Sequence, residues 1–496
     1  MATKDTSLTI SVPRQGISQS PHIGFADVRN IDIYSVPGVA KLNNILSKVS
    51  STTVDAQITW FARHPSVPAK IYAIDTNGSV YYSATSGATW SELSDRAGAG
   101  QGLIVWKDYL FVCEDTTIDV YGPISGTPAW TDNWQTIDSD TTWHPIIVSK
   151  NDSKIYGGAG RFIFTIDENT GKTFAPGDAT TYTFTAQALD LPVSYRIKCL
   201  EELGNNLMIG TWQGTNVYDI RIADIFPWDR SSTSFGQPIV FDEYGIHALK
   251  NIGGSLVVLA GTSGTIYRCD GANKYIIGQI PTDLSGGKYI EFYPGSLCTY
   301  KNKIFFGTGN GGTTAVANQG IYSLYQTGQG NVLNLEHLNS ALTDGSVASV
   351  KISALLPVTR DTILTGWRSN TTYGIDLSSA TSYSYSTDYS GFFITPLYTV
   401  GTYHNKRTFS EIEFQLAKEL ATGEGIKLEY RVNLTDSFTA VKTPDNGTLT
   451  LTYATLGSIT NHIMSADIPA TDMLQLRVSL LGTSTTTPEL KTIILR

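Results

Sequence analysis

The sequence predicts an all-β protein: a β-propeller of about seven blades (six to eight), followed by a C-terminal β-sandwich and preceded by an extended N-terminal arm. Three observations predict this fold. A pair of strands joined by a turn recurs along most of the 496 residues, the composition is rich in aromatic residues and glycine, and the last part of the chain alternates apolar and polar positions. Aromatic side chains suit pleated surfaces and glycine suits tight turns, whereas sustained helical periodicity is almost absent.

The repeat is clearest in GSLVVLAGTSGTIYRC, from Gly254 to Cys269, which contains an apolar strand, a short turn with glycine and a second strand. We interpret its glycines as the turn between the two middle strands of a blade, and Ile266 and Tyr267 as packing between blades. A lone hairpin cannot bury both faces, and blades of four antiparallel strands usually repeat every ~40–50 residues, so seven copies indicate a propeller. The first apolar residues after each turn are spaced by 39, 45, 52, 49, 48 and 59 residues: Ile71, Leu110, Ile155, Leu207, Leu256, Ile304 and Ile363.

Three segments are predicted along the chain. Residues 1–50 form an N-terminal arm with a turn at Pro37 and Gly38, and supply a strand that closes the ring. Residues 51–385 form the propeller. In residues 386–496 the apolar positions alternate, as in EIEFQL from Glu411, and this favours the paired strands of a sandwich over a helix.

The charge balance argues against tight binding of nucleic acid. Lysine and arginine number 35 against 44 aspartate and glutamate, which gives a formal net charge of −9, and no basic run would grip phosphates. The first residues lack the apolar core of a signal peptide, and no apolar run approaches the ~20 residues that span a bilayer, so we expect a protein made in the cytoplasm, without a membrane segment. Four cysteines without CxxC spacing favour buried reduced thiols over disulfides: Cys113, Cys199, Cys269 and Cys298.

No motif in the sequence predicts an enzyme. The seven histidines are far apart and form neither HxH nor HExxH, and no GxSxG occurs. A metal site assembled from distant strands stays open, because a single sequence does not show which strands meet. We therefore predict no catalytic residue, no metal ligand, no cofactor-binding residue and no cofactor.

Two turns resemble the Asp-box hairpin of sialidase-type propellers. SATSGATW, from Ser83 to Trp90, has Thr85 where the family has aspartate, and DENTGKTF, from Asp167 to Phe174, has Asp167 in the first position. In that family the box fastens the fold and lies away from the active site, so the resemblance implies a structural role. The residues that match the pattern are Ser83, Gly87, Thr89 and Trp90 in the first turn and Asn169, Gly171, Thr173 and Phe174 in the second.

The order of segments resembles the nozzle or hub proteins of short-tailed bacteriophages, and related minor tail proteins of other phages. The resemblance is carried by RNIDIYSVPGVAKL from Arg29, by FFITPLYTVGTYHNKRTFSEIEF from Phe392 and by LQLRVSLLGTSTTTPELKTIILR from Leu474, on either side of a propeller. It implies a structural virion protein, assembled in the host cytoplasm, that forms a homo-oligomeric ring, expected to be hexameric. Such a ring bounds the channel through which DNA leaves without specific binding, and contacts an adaptor or portal protein on one side and a fibre, needle or plug protein on the other.

Two alternatives stay open at this point. A receptor-binding or carbohydrate-binding protein of the tail tip would use exposed aromatic side chains to stack on sugars. The sequence contains 9 Trp and 26 Tyr that could serve this purpose. A sialidase-like glycosidase would need converging arginines and a Tyr/Glu nucleophile pair, which no single sequence shows.

Overall fold

The computed structural model describes residues 7–12, 25–36, 38–49, 54–94, 96, 98–140, 143–212, 223–280, 284, 288–311, 319–327, 330–337, 350–379, 381–383, 391–402, 405–452 and 460–496. The regular elements in these ranges are all β-strands. None of the described segments is a helix that is long and apolar enough to cross a membrane.

The strands of the first half are β1 Leu8–Ser11, β2 Asp27–Arg29, β3 Ile31–Asp32, β4 Lys41–Leu42, β5 Leu46–Lys48, β6 Ile58–Arg63, β7 Ile71–Asp75, β8 Val80–Ser83, β9 Ser91–Ser94, β10 Gly102–Trp106, β11 Tyr109–Cys113, β12 Thr117–Gly122, β13 Ala129–Thr136, β14 Ile146–Val148, β15 Ile155–Ala159, β16 Phe162–Glu168, β17 Tyr182–Asp190, β18 Arg196–Leu203, β19 Asn206–Trp212, β20 Asp224–Trp228 and β21 Ile239–Val240.

Those of the second half are β22 Ile246–Ile252, β23 Ser255–Ala260, β24 Thr265–Cys269, β25 Lys274–Gln279, β26 Ile290–Tyr300, β27 Lys303–Asn310, β28 Ile321–Thr327, β29 Gly330–His337, β30 Val350–Pro357, β31 Ile363–Ser369, β32 Thr372–Ser378, β33 Gly391–Ile394, β34 Tyr398–Thr399, β35 Arg407–Leu416, β36 Gly425–Arg431, β37 Thr439–Ala440, β38 Thr450–Thr452, β39 Asn461–Thr471, β40 Met473–Leu481 and β41 Leu490–Leu495.

The chain divides into two compact units. One, the ring unit, consists of Ser47–Gly320 and Gly345–Leu377. The other, the terminal unit, combines Met1–Leu46, Ile321–Asp344 and Ser378–Arg496. The terminal unit therefore contains both ends of the chain.

The ring unit consists of consecutive antiparallel strand groups. Groups 1 to 5 are four-stranded sheets in chain order, namely β6–β9, β10–β13, β14–β17, β18–β21 and β22–β25. Group 6 contributes the pair β26 and β27, and group 7 the strands β30 to β32. The amide of Val49, which precedes β6 in the chain, donates to the carbonyl oxygen of Ile375 in β32 at 2.9 Å. The chain before group 1 therefore lies next to group 7.

The groups follow one another around a closed ring. The first strand of each group contacts the first strand of the next, in the order β6, β10, β14, β18, β22, β26 and β30, and β30 contacts β6. Cyclic contact between the first strands of antiparallel sheets is the arrangement of a propeller. The predictions of an all-β chain and of a β-propeller are confirmed. The blade number stays a prediction, since only two strands of group 6 lie in this unit.

Four junctions of the ring use the same close contact between a glycine and an isoleucine. The glycine lies inside the second strand of one group, and the buried isoleucine lies in the first strand of the following group. A Cβ atom added to any of these glycines would come under 3.0 Å from that isoleucine side chain. The pairs are Gly158 with Ile197, Gly210 with Ile246, Gly307 with Ile352, and Gly366 with Ile58.

The stretch from Gly254 to Cys269 forms the middle strands of group 5, β23 and β24, as predicted. Gly261 and Gly264 have φ of +68° and +76° in the turn between them, a conformation that favours glycine. Ile266 is fully buried. The ring of Tyr267 lies 5.2 Å from that of Phe241, next to β21 in group 4, so it packs between groups as predicted.

The terminal unit contains two larger sheets. One has the strand order β1–β41–β35–β39, and the other includes β36, β40, β33, β2, β29 and β28. Ile10 of β1, Phe414 of β35, Leu428 of β36 and Val478 of β40 belong to one apolar core, so both sheets pack on the same side chains. The strand predicted at EIEFQL lies within β35. The sandwich stays a prediction that this shared core supports.

All four cysteines are buried, as predicted, and none of them is paired in a disulfide. Burial raises the pKa of the thiols of Cys113, Cys199, Cys269 and Cys298, because the thiolate would lose its hydration.

We expect Gly366→Ala to destabilise the ring, because the added methyl group would meet Ile58 where group 7 meets group 1. Overpacking of this kind costs about 1–3 kcal/mol. The control is Gly177→Ala, since Gly177 is exposed and an added Cβ would meet nothing within 4 Å. Urea-induced unfolding measures both variants. Equal midpoints for the two would contradict this account of the junction.

Candidate functional site

A polar residue occupies a β-bulge at the same place in the first strand of four groups. The pairing register shifts between Ile58 and Trp60, and at the corresponding places in groups 4, 5 and 7. Each bulged residue follows a buried isoleucine and is itself buried. Because a bulge turns its side chain away from the pleat, the repeat places polar groups on the inner side of the ring. The bulge residues are Thr59, Lys198, His247 and Ser353.

The bulge residues join neighbouring groups through hydrogen bonds. The hydroxyl of Ser353 in group 7 donates to the carbonyl oxygen of Ile58 in group 1. The ammonium nitrogen Nζ of Lys198 in group 4 donates to Nδ1 of His247 in group 5 at 2.8 Å. Buried polar groups need such partners, and these two bonds connect group 7 to group 1 and group 4 to group 5.

Four aromatic rings meet inside the ring of first strands: those of Trp60, Trp143, Trp212 and Tyr293. They come from groups 1, 3, 4 and 6, Trp143 lying just before β14. The centroids of Trp143 and Tyr293 are 6.3 Å apart. Groups 3 and 6 are not neighbours, so rings from both can touch only across the centre of the ring.

Lys198 is buried among these rings. Its Nζ lies 4.7 Å from the ring centroid of Trp212 and 5.3 Å from that of Trp143, distances at which an ammonium is attracted to an aromatic face. We call this set the axial cluster, and its members are Trp60, Trp143, Lys198, Trp212, His247 and Tyr293.

Burial dominates the electrostatics of the axial cluster. Loss of hydration lowers the pKa of Lys198 from its ordinary 10.5 to about 8, while the negative charge of Glu291 acts in the opposite direction. Burial also lowers the pKa of His247, and the positive charge of Lys198 lowers it further. The imidazole of His247 is therefore neutral at neutral pH, which leaves Nδ1 free to accept the hydrogen bond from Lys198.

Further polar atoms surround the cluster. The carbonyl oxygen of Gln101, just before β10, accepts a hydrogen bond of 2.8 Å from Nε1 of Trp60. Within the described ranges, both side-chain amide atoms of Gln101 and Nε1 of Trp212 are buried without a hydrogen-bond partner. Among the described residues, N–H donors of the buried Lys198 and of Trp212 therefore lack acceptors. Across the same ranges, no group of three His, Cys, Asp or Glu residues could hold a metal ion.

The first Asp-box-like turn lies between groups 1 and 7. The hydroxyl oxygen of Ser83 accepts the amide hydrogen of Gly87 at 2.9 Å, and that of Thr85 accepts the amide hydrogen of Thr89 at 2.9 Å. Trp90 is buried, and its Nε1 donates to the carbonyl oxygen of Gly87 at 2.9 Å. Thr85 thus supplies the acceptor where the family has aspartate.

Close packing also fixes this turn. Gly87 has φ of +85°, and a Cβ atom there would come 2.8 Å from Cδ1 of Leu364 in group 7. Both the backbone conformation and the neighbouring side chain therefore require glycine. Trp90 and Leu364 belong to the same apolar core.

The second turn packs on group 2. Phe174 is buried among aromatic rings and lies 5.2 Å from the ring of Trp106, and its amide donates to a carboxylate oxygen of Glu168 at 2.8 Å. The amide nitrogen Nδ2 of Asn169 donates to the carbonyl oxygen of Thr180 at 3.0 Å.

The other two matched residues of that turn have less to pack on. Gly171 has φ of +74°, and a Cβ atom added there would meet nothing within 4 Å. Thr173 is exposed. The two turns thus belong to separate apolar cores, one around Trp90 and one around Phe174, and the structure does not bring their residues together.

The sequence alone does not predict the axial cluster. Its signal is the recurrence of isoleucine followed by a polar residue in ITW, IKC, IHA and ISA, which start at Ile58, Ile197, Ile246 and Ile352. The recurrence becomes informative once the first strands of groups 1, 4, 5 and 7 are known to carry a bulge at the second of these letters.

We expect the stability contributed by Lys198 to rise with pH between about 8 and 10.5. In that window the folded state has released the proton while the unfolded chain keeps it, so the unfolded state binds more protons and unfolding becomes less favourable as pH rises. The charged or titratable neighbours of the group are His247, Glu291 and Cys199. The gain across the window is on the order of 3 kcal/mol, and it is lost again as pH falls towards 8.

Lys198→Met tests this expectation. The variant should lack this rise in stability. The unfolding free energy of the wild type minus that of the variant should therefore increase from pH 8 to pH 10.5. Lys250→Met is the matched control, because Lys250 lies on the adjacent strand β22 and is partly exposed beside Glu201. Urea unfolding at several pH values measures all three proteins, and parallel pH profiles for Lys198→Met and wild type would refute the assignment.

Ser83→Ala is expected to destabilise the protein by about 1–3 kcal/mol, because the buried amide of Gly87 would lose its acceptor. Ser91→Ala, at an exposed position of β9, should change stability by less than about 0.5 kcal/mol. Thermal unfolding of the two variants makes the comparison. A Ser83→Ala protein as stable as Ser91→Ala would show that this turn does not fasten the fold.

No protein family model and no curated protein matches the sequence. Among solved structures, the chain is similar to YCF48 bound to D1 peptide, with a TM-score of 0.46 and 12% identity over 75% of this chain and 100% of that one. It is also similar to the structure of U3-55K (TM-score 0.44, 12% identity, 67% and 97% covered) and to the WD40 repeats of RRP9 (TM-score 0.43, 12% identity, 67% and 98% covered). Similarity at 12% identity concerns the fold alone. The assignment of the propeller rests on the strand topology of this chain.

Proposed function

We propose that this chain is a structural protein of a bacteriophage tail, a nozzle or hub subunit. Copies of it form a ring, expected to be hexameric, around the channel through which DNA leaves the particle. The ring contacts an adaptor or portal protein on one side and a fibre, needle or plug protein on the other. The protein acts through its surfaces and its assembly, and no catalytic step is assigned to it.

One observation supports the proposal most directly: the segments that carry the resemblance to nozzle and hub proteins fold together. They come from residues near 29, 392 and 474, far apart in the sequence. In the terminal unit, Arg29 pairs with Phe392, and Phe392 pairs with Ser479 of β40 in the same sheet. The first strand, β1, also pairs with the last strand, β41. The resemblance therefore concerns one folded module.

The axial cluster supports a DNA path outside the propeller. Trp143 and Tyr293 touch across the centre of the ring of first strands, and both side chains are buried. Duplex DNA is about 20 Å wide, whereas an interior packed at protein density leaves few gaps larger than a water molecule. In this proposal the exit channel is therefore bounded by several copies of the chain. The net charge of −9 suits such a channel, since it offers passing phosphates little adhesion.

The Asp-box-like turns give no support to a glycosidase. Ser83 and Trp90 form hydrogen bonds inside their own turn, and Phe174 is enclosed by aromatic rings. These residues are used for packing between groups. The same packing role is expected of such turns in a sialidase-type propeller, so they do not distinguish the two functions, and the phage-tail proposal rests on the terminal unit.

Mass spectrometry and antibody labelling of purified phage particles test the proposed function. We expect the chain in every particle at a fixed stoichiometry to the portal protein, with antibody label at the tail in electron micrographs. Absence from washed particles would refute the proposal. The same purified protein is applied to a glycan panel and to fluorogenic sialosides. Saturable binding or turnover there, with no label on the particles, would favour the carbohydrate-binding or the glycosidase alternative.

A further inference from the structure

We infer that the centre of the propeller binds a small anion, a halide or a carboxylate, at Nζ of Lys198. The inference concerns the ring unit alone and does not depend on the proposed function. It rests on a buried cation that has a single hydrogen-bond acceptor among the described residues, and on further unpaired polar groups near it.

The ammonium group of Lys198 has more donors than acceptors around it. A lysine ammonium carries three N–H donors. Across the described ranges, Lys198 has one hydrogen-bond acceptor, Nδ1 of His247, and its other close neighbours are the faces of Trp143 and Trp212. Aromatic faces attract the charge but do not replace two hydrogen bonds, and a buried charge without such bonds is costly.

No carboxylate of the described residues forms an ion pair with this cation. The charge of Glu291 acts on Lys198, but one of its carboxylate oxygens lies 2.8 Å from Nζ of Lys351. Lys198 itself has no ion-pair partner among the described residues. The charge at the centre of the ring is therefore left for an anion to balance.

The unpaired groups of the cluster include a further donor. Nε1 of Trp212 donates only, whereas the hydroxyl of Tyr293 and the side-chain amide of Gln101 can both donate and accept. Together with Lys198, the site offers an excess of donors at buried positions. A ligand that only accepts hydrogen bonds, such as an anion, satisfies that excess better than water, which brings donors of its own.

The walls set the size of the ligand. Trp143 and Trp212 are each 8% exposed, and Tyr293 is 3% exposed. Because these side chains are almost completely covered, the ligand that we infer is a small anion. Bromide and acetate represent the two candidate classes, a halide and a carboxylate.

The test measures thermal unfolding at constant ionic strength and pH 7, with sodium gluconate replaced stepwise by sodium bromide or sodium acetate. We expect a saturable rise of the unfolding midpoint for the wild type with at least one of the two anions. Bromide alone would assign a halide, and acetate would assign a carboxylate.

Two variants and one control make the result specific. Lys198→Met should lose the saturable response. Trp212→Phe keeps the aromatic wall but loses the Nε1 donor, so its half-saturating concentration should rise about three- to tenfold. Lys250→Met, the matched control on β22, should respond like the wild type. Bromide-soaked crystals should show anomalous density beside Nζ of Lys198.

Two outcomes would overturn the inference. One is a wild type without a saturable response to either anion, which would mean that water alone occupies these donors. The other is an unchanged response in both Lys198→Met and Trp212→Phe. If Lys198→Met does not fold, the comparison of Trp212→Phe with the wild type decides the question.

Discussion

The fold of the ring unit depends on how closely neighbouring groups approach. At four junctions an isoleucine of one first strand lies where a Cβ atom on the preceding group would stand, so that position is occupied by glycine. Glycine inside a strand weakens it, because it packs no side chain and loses more backbone entropy than other residues. This destabilisation is offset by the close packing of the two neighbouring groups. Gly366 and Ile58, where group 7 meets group 1, make the same contact as the other three pairs.

The bulges follow from this packing. An isoleucine that must point into the junction fixes the orientation of its strand, and the next residue would ordinarily point to the opposite face. The bulge instead leaves that residue unpaired and free to turn inward, as the register shifts around Lys198 and His247 show. The inner side of the ring thereby receives polar side chains among aromatic rings. A structural repeat has in this way placed a buried lysine and a buried histidine among aromatic rings.

The sequence predicted the propeller because its hairpins repeat, and it predicted strand β35 because its apolar positions alternate. It predicted the turn at Gly261 because two apolar strands flank a glycine-rich segment. It gave no means of distinguishing Gly261, a turn residue, from Gly210, which lies inside β19 against Ile246. Nor could it bring Trp143 to Tyr293, because that contact joins residues 150 positions apart through the closure of the whole ring.

The ring unit contains two sets of side chains, one buried at its centre and one exposed on its outer strands. The polar and aromatic groups near Lys198 are buried and serve cohesion at the centre. Large apolar side chains that stay exposed in the ring unit include Val240, Tyr275 and Ile276 on β21 and β25, the outermost strands of groups 4 and 5. The buried side chains at the centre are not available for direct contact with another protein. Substitutions at Lys198 should therefore alter stability without altering the exposed surfaces of the ring unit.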